Sequence, residues 1–210
     1  MEHQLSKFGL IPVVKLETNQ HAEGLADALI AGGLPIAEIT LRTEGALGAI
    51  ETLSRRNDIC IGAGTVLNAD QAAKSIEAGA QFVVSPGLDS GVVAYCQKRD
   101  IDVYPGVSSA TEIQTAYNLG LRHVKFFPAE AAGGVPTLKA LAAPFHEMMF
   151  IPTGGINPTN ARDYLDLECT LAIGGSWMVK PALYASGDFT QVTELTASAI
   201  QLIKSQDDRD

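Results

Sequence analysis

Eight short runs rich in β-branched and other apolar residues recur along the chain. They lie at Leu10–Val14, Ile36–Leu41, Ile59–Ala63, Phe82–Ser85, Asp102–Pro105, His123–Phe127, Met149–Pro152 and Leu171–Gly174. Their starts are roughly 20 to 26 residues apart, the length of one strand–loop–helix–loop unit. The intervening stretches carry apolar residues at helical spacing. His21–Ala31 is one such helix, stopped by Gly32-Gly33; Asp70–Ala78 stops at Gly79 and Thr111–Leu119 at Gly120. Glycine there supplies a helix C-cap. Asn157-Pro158 predicts a further helix start, a capping side chain followed by proline in the first turn. Eight such units with no linker predict an α/β protein with one domain over residues 1–210, a closed (β/α)8 barrel near the lower size limit of that fold. An open doubly wound sheet is the alternative. No Gly-x-Gly-x-x-Gly follows the first strand, which weakens a dinucleotide-binding version of it.

Polar residues break this pattern at particular places. Lys125 sits in His123-Val124-Lys125-Phe126-Phe127-Pro128, where alternation puts His123, Lys125 and Phe127 on one face. An isolated buried ammonium is costly, so this amine is paired, doing chemistry, or snorkelling to solvent. In Ile36-Ala37-Glu38-Ile39-Thr40-Leu41-Arg42, the residues Glu38, Thr40 and Arg42 share one parity. An apolar outer face packed on helices turns that polar set into the barrel, for chemistry or as a structural Glu–Arg pair. The third strand ends in Gly62-Ala63-Gly64-Thr65, small residues that would let a ligand approach the backbone, then a hydroxyl. Ser85-Pro86-Gly87 and Pro105-Gly106 read as turns. Ile151-Pro152-Thr153-Gly154-Gly155-Ile156 and Ala172-Ile173-Gly174-Gly175-Ser176-Trp177 expose glycine backbone after the seventh and eighth strands. Barrels commonly bind phosphate there through backbone N–H groups.

Functional groups of a barrel gather at the C-terminal ends of its strands. The predicted mouth therefore holds an amine, a carboxylate, a guanidinium, a hydroxyl and a phosphate cradle. A neutral lysine in that setting attacks a carbonyl to form a Schiff base. Burial and the cation of Arg42 favour the neutral amine, whereas an ionised Glu38 favours the charged one.

Composition then limits the partners. With 46% hydrophobic and 19% charged residues the chain can build one sizeable core. A net charge of −9 argues against a nucleic-acid surface, and no polybasic segment suggests a membrane surface. An anionic substrate would need local cations. Cys60, Cys96 and Cys169 are far apart and the four histidines are scattered, so neither a metal site nor a disulfide is expected. The thiols read as small buried hydrophobes of a reducing compartment. Met1–Lys7 lacks the layout of a signal peptide and no apolar run would span a bilayer, so a soluble cytoplasmic protein is expected. The acidic end, Asp207-Asp208-Arg209-Asp210, is expected to fray beyond a closing helix.

Six motifs in order carry a resemblance. Glu38-Ile39-Thr40-Leu41-Arg42-Thr43-Glu44, Gly62-Ala63-Gly64-Thr65-Val66-Leu67, Ser85-Pro86-Gly87, Lys125-Phe126-Phe127-Pro128-Ala129-Glu130, Pro152-Thr153-Gly154-Gly155-Ile156 and Gly174-Gly175-Ser176-Trp177 resemble the 2-keto-3-deoxy-6-phosphogluconate and 4-hydroxy-2-oxoglutarate aldolase family. The match runs from about Ile11 to Val179. The resemblance implies a class I aldolase on a (β/α)8 barrel, without metal or cofactor, usually a homotrimer. By the same resemblance Lys125 forms the imine, Glu38 is the general acid/base, and Arg42 and Thr65 hold the pyruvate carboxylate. Gly154, Gly155, Gly175 and Ser176 would bind phosphate, Pro86 and Phe127 would line the pocket, and Lys15 would either assist the phosphate or point to solvent. The implied reactions release pyruvate with glyceraldehyde 3-phosphate, or pyruvate with glyoxylate. Two alternatives are an aldolase for the galactonate epimer and a phosphosugar-binding barrel without catalysis.

Overall fold

Strands buried on both faces are what a parallel sheet covered by helices requires, and the first three here have no exposed position. They are β1 (Leu10–Val14), β2 (Ile36–Thr40) and β3 (Cys60–Gly64). The computed structural model describes residues 2–204, so the acidic end at 207–210 lies outside the described residues. The remaining strands are β4 (Phe82–Val84), β5 (Asp102–Tyr104), β6 (Gly106–Val107), β7 (His123–Phe126), β8 (Met149–Pro152) and β9 (Ile173–Gly175). Helices follow most of them: α1 (Glu2–Phe8) precedes β1, then come α2 (Ala22–Ala31), α3 (Ala46–Ser54), α4 (Ala69–Glu77), α5 (Ser90–Gln97), α6 (Ala110–Asn118), α7 (Gly134–Ala142), α8 (Ala161–Leu165) and α9 (Thr190–Lys204).

All pairings between these strands are parallel, as strand–helix alternation demands. One ladder runs in the order β5-β4-β3-β2-β1-β9 and a second runs β6-β7-β8. Single bridges, Phe150 with Thr170 and Thr153 with Gly174, carry the pairing from β8 toward β9. The result is a curled parallel sheet. Its core contains the fully buried rings of Phe82, Phe126 and Phe150, with Tyr164 and Tyr184 under the helices.

The helix boundaries follow capping chemistry. Gly33, Gly79 and Gly120 all adopt positive φ just past α2, α4 and α6. Asn68, Asp89 and Ser109 cap α4, α5 and α6 by accepting a backbone N–H from three residues on. Two expectations need correction. The fifth run does not turn at Pro105-Gly106: it continues extended and pairs with β4 before the proline and with β7 after it. Proline has no N–H to donate and so divides the strand. The helix expected at Asn157-Pro158 starts only at Ala161. The Asn157 carboxamide accepts from both Thr159 N–H and Thr159 Oγ1, closing a local turn that competes with helix.

Cys60, Cys96 and Cys169 are not joined in disulfides. Burial pushes the Cys60 and Cys96 thiols up to about 11, which leaves them poor nucleophiles. Among the described residues no helix is long and apolar enough to cross a membrane, and no three His, Cys, Asp or Glu side chains cluster as metal ligands.

Candidate active site

The C-terminal ends of the strands surround a cavity of about 190 Å³. Its lining includes Glu38, Arg42, Thr65, Pro86, Lys125, Phe127, Gly154, Gly155, Gly175 and Ser176. Ten of the eleven residues singled out from sequence are thus brought together. Lys15 is not among them: its ammonium lies 2.6 Å from Glu17 Oε1, in a half-exposed pair. A larger hollow of about 570 Å³ lies beside the N-terminal end of β8, lined by residues such as Lys139, His146, Asp166 and Cys169. It gathers no buried charge, so the smaller cavity holds the chemistry.

Lys125 is 6% exposed and Glu38 is 2% exposed. Lys125 Nζ and Glu38 Oε1 stand 3.6 Å apart, close enough to attract and too far for a good hydrogen bond. Glu38 Oε1 has no hydrogen-bond partner among the described residues. A buried carboxylate oxygen left unsatisfied costs free energy unless water or a ligand fills the gap. Both side chains line the cavity, so a reacting atom there can reach the pair. Lys125 Nζ also lies 5.1 Å from the centroid of Phe127, whose ring face stabilises a cation.

The neighbouring strand makes room for Glu38. Thr40 on β2 is in register with Gly64 on β3, and a Cβ on Gly64 would collide with the Glu38 carboxylate. A Cβ on Gly62 would strike the Phe82 ring. These glycines accommodate side chains of adjacent strands, which corrects the expectation that they open the backbone to ligand. The next residue, Thr65, has φ of +58, a conformation a β-branched residue rarely adopts. Such strain costs on the order of 1–3 kcal/mol and concentrates where a side chain must be aimed.

Arg42 stands at the exposed rim and is oriented by a residue to which the sequence assigned no role. The Thr40 hydroxyl donates to Val14 C=O at 2.7 Å and accepts from Arg42 Nε at 3.1 Å. Among the described residues no carboxylate pairs with Arg42, so the outer edge of its fork is open to an anion. Thr153, buried at the end of β8, also lines the cavity, with its hydroxyl 3.3 Å from Ile151 C=O. The parity of β2 could have flagged Thr40 as a support; nothing in the sequence separates Thr153 from its glycine turn.

Gly154 and Gly155 both have positive φ, at +100 and +84. Their N–H groups, with that of Ser176, have no acceptor among the described residues. Unpartnered amides from two adjacent strand ends form a concavity suited to an anion.

Comparison with known proteins agrees with this geometry. A family model described as KDPG and KHG aldolase matches residues 1–195. The KHG/KDPG aldolase of Escherichia coli (strain K12) is 44% identical over 201 residues, covering 95% of this chain and 94% of that protein. Among solved structures, KDPG aldolase from Legionella pneumophila, with pyruvate captured as a covalent carbinolamine intermediate, superposes with a TM-score of 0.90 at 39% identity. That match covers 94% of this chain and 96% of the other. The 2-keto-3-deoxy-6-phosphogluconate aldolase of Zymomonas mobilis ZM4 with 3-phosphoglycerate gives a TM-score of 0.89 at 38% identity, covering 97% of each chain.

Proposed function

The chain belongs to the KDPG and KHG aldolase family, and from that premise we propose that it is a class I aldolase cleaving 2-keto-3-deoxy-6-phosphogluconate to pyruvate and D-glyceraldehyde 3-phosphate. Cleavage of 4-hydroxy-2-oxoglutarate to pyruvate and glyoxylate is its second activity. The observation that carries this reading is a buried amine 3.6 Å from an unpartnered carboxylate oxygen in a cavity at the strand ends.

In this scheme Arg42 and Thr65 hold the substrate carboxylate, presenting the C2 ketone to Lys125. The neutral amine adds to C2 to give a carbinolamine, which loses water and leaves a protonated imine. Glu38 shuttles protons through water in these steps and then takes the proton of the C4 hydroxyl. The C3–C4 bond breaks, its electron pair flows into the imine, and the aldehyde leaves. The resulting enamine is protonated at C3. Hydrolysis, consuming the equivalent of the water released earlier, frees pyruvate and regenerates the amine. A protonated imine accepts the electron pair far better than a ketone, which is why the lysine is needed.

Gly154, Gly155 and Ser176 take the phosphate through their N–H groups beside Gly175, whose own N–H belongs to the ladder with β1, and Pro86 and Phe127 wall the site. Lys15 would reach the phosphate only by leaving Glu17, so its contribution is secondary. The same reading takes residues 1–210 as one closed (β/α)8 domain, working as a cytoplasmic homotrimer. The β8–β9 bridges and the run of β5 into β6 support closure.

A pyruvate-release assay over phosphorylated and unphosphorylated 4-hydroxy-2-keto acids, both C4 epimers included, tests the proposal. We expect turnover of the phosphorylated gluconate-type substrate with the highest kcat/KM and slower turnover of 4-hydroxy-2-oxoglutarate. Ligand binding with no pyruvate release from any of them would leave a binding protein instead.

A further inference from the structure

Two consecutive glycines make a poor anion site unless something holds them, because each has far more backbone freedom than other residues. Here Gly154 and Gly155 are held from outside the cavity. Gly154 C=O accepts from Glu130 N–H at 3.1 Å, and Thr153 C=O accepts from Ala129 N–H at 2.8 Å. Gly155 C=O accepts from Asn157 Nδ2 and Asn160 Nδ2, each at 3.1 Å. The side chain of Glu130 lies directly beneath Gly155: a Cβ there would sit 2.7 Å from Glu130 Cβ and 2.6 Å from Glu130 Cγ.

Glu130 follows the strand of Lys125, yet it is absent from the cavity lining. Its Oε1 accepts a short hydrogen bond from the hydroxyl of Tyr164, on α8, which starts just beyond the glycine turn. Tyr164 is fully buried. Burial and the Glu130 carboxylate push its hydroxyl well above the ordinary phenol range, so it remains a donor. Left untied, the Glu130 carboxylate would be an anion at the edge of an anion site, where like charge repels.

We infer that Glu130 and Tyr164 are positioning residues for the phosphate subsite. Tyr164 turns the Glu130 carboxylate away from the cavity, and Glu130 fixes the Gly154–Gly155 turn by its N–H and its methylenes. Neither touches the ligand. The proposal rests on the phosphate reading above and adds the residues that preorganise it, an arrangement that raises affinity by ordering the site in advance.

The test uses the full chain and two substrates that differ in carrying phosphate. In the wild type, inorganic phosphate competes with the phosphorylated substrate. In Tyr164→Phe, which keeps the ring and deletes the hydroxyl, KM for the phosphorylated substrate and the inhibition constant of inorganic phosphate rise about tenfold. KM for 4-hydroxy-2-oxoglutarate and kcat for both substrates stay within about twofold, the pattern of lost ground-state binding confined to one subsite. Glu130→Ala behaves like Tyr164→Phe, whereas Glu130→Gln, which keeps an acceptor for the hydroxyl, restores most of the affinity. A parallel rise in KM for both substrates, a fall in kcat, or unchanged phosphate inhibition in Tyr164→Phe overturns the inference while leaving the aldolase reading intact. Failure of inorganic phosphate to compete in the wild type removes the phosphate subsite itself, and this proposal with it.

Discussion

Lys125→Arg is expected to lower kcat by at least about four orders of magnitude while the protein stays folded, the scale on which removing the nucleophile of a covalent mechanism falls. Arginine is the informative choice because of the electrostatics. Glu38 is buried with one oxygen unpartnered and Lys125 is the cation beside it. Lys125→Ala would strip that cation and leave a buried lone carboxylate, a change worth on the order of 3–5 kcal/mol of stability. Lost activity in that variant would then have two causes. A guanidinium keeps the positive charge next to Glu38, yet it never deprotonates in a protein and offers no free amine. Steady-state pyruvate release, read beside a thermal melt, separates the two effects. Activity within about tenfold of wild type in the arginine variant would mean that no imine forms at this position.

The second large effect is expected from Glu38→Gln. Glutamine preserves the volume beside Gly64, where no spare space exists, and leaves the strand pairing of β2 with β3 undisturbed. It cannot accept and return protons at neutral pH. General acid–base catalysis supplies roughly 10²- to 10⁴-fold, so kcat falls by that range. KM changes little if, as proposed, Arg42 and Thr65 hold the substrate carboxylate and Glu38 does not. The check is kcat and KM for the phosphorylated substrate measured together. A loss confined to KM would reassign Glu38 to binding; a loss in both would point to a displaced Lys125.

Much of this architecture is visible in the chain because the signals are local. The alternation of Glu38, Thr40 and Arg42 follows from the two-residue period of a strand, and the structure turns Glu38 and Thr40 inward with Arg42 at the rim. Lys125 stands out as a charge in an otherwise apolar strand, and the structure buries it. What escaped the sequence depends on distant partners. Gly64 is small because Glu38, 26 residues earlier, occupies the space a Cβ would need. Pro105 looks like a strand end, but its carbonyl accepts from Lys125 N–H, so the chain runs on to pair with β7. Nothing local in the sequence marks Glu130, because its partner Tyr164 lies 34 residues on. At the end of β1, Lys15 pairs with Glu17 on the half-exposed surface.

In the proposed mechanism the amine of Lys125 bonds covalently to the keto carbon of the substrate. Borohydride reduction during incubation with pyruvate, followed by proteolysis and peptide mass measurement, reads this directly. Activity is expected to be lost irreversibly only when pyruvate is present, with the added mass on the peptide containing Lys125 and on no other. Protein that is folded and turning over substrate, yet shows that peptide unmodified or the adduct on a different lysine, would contradict it.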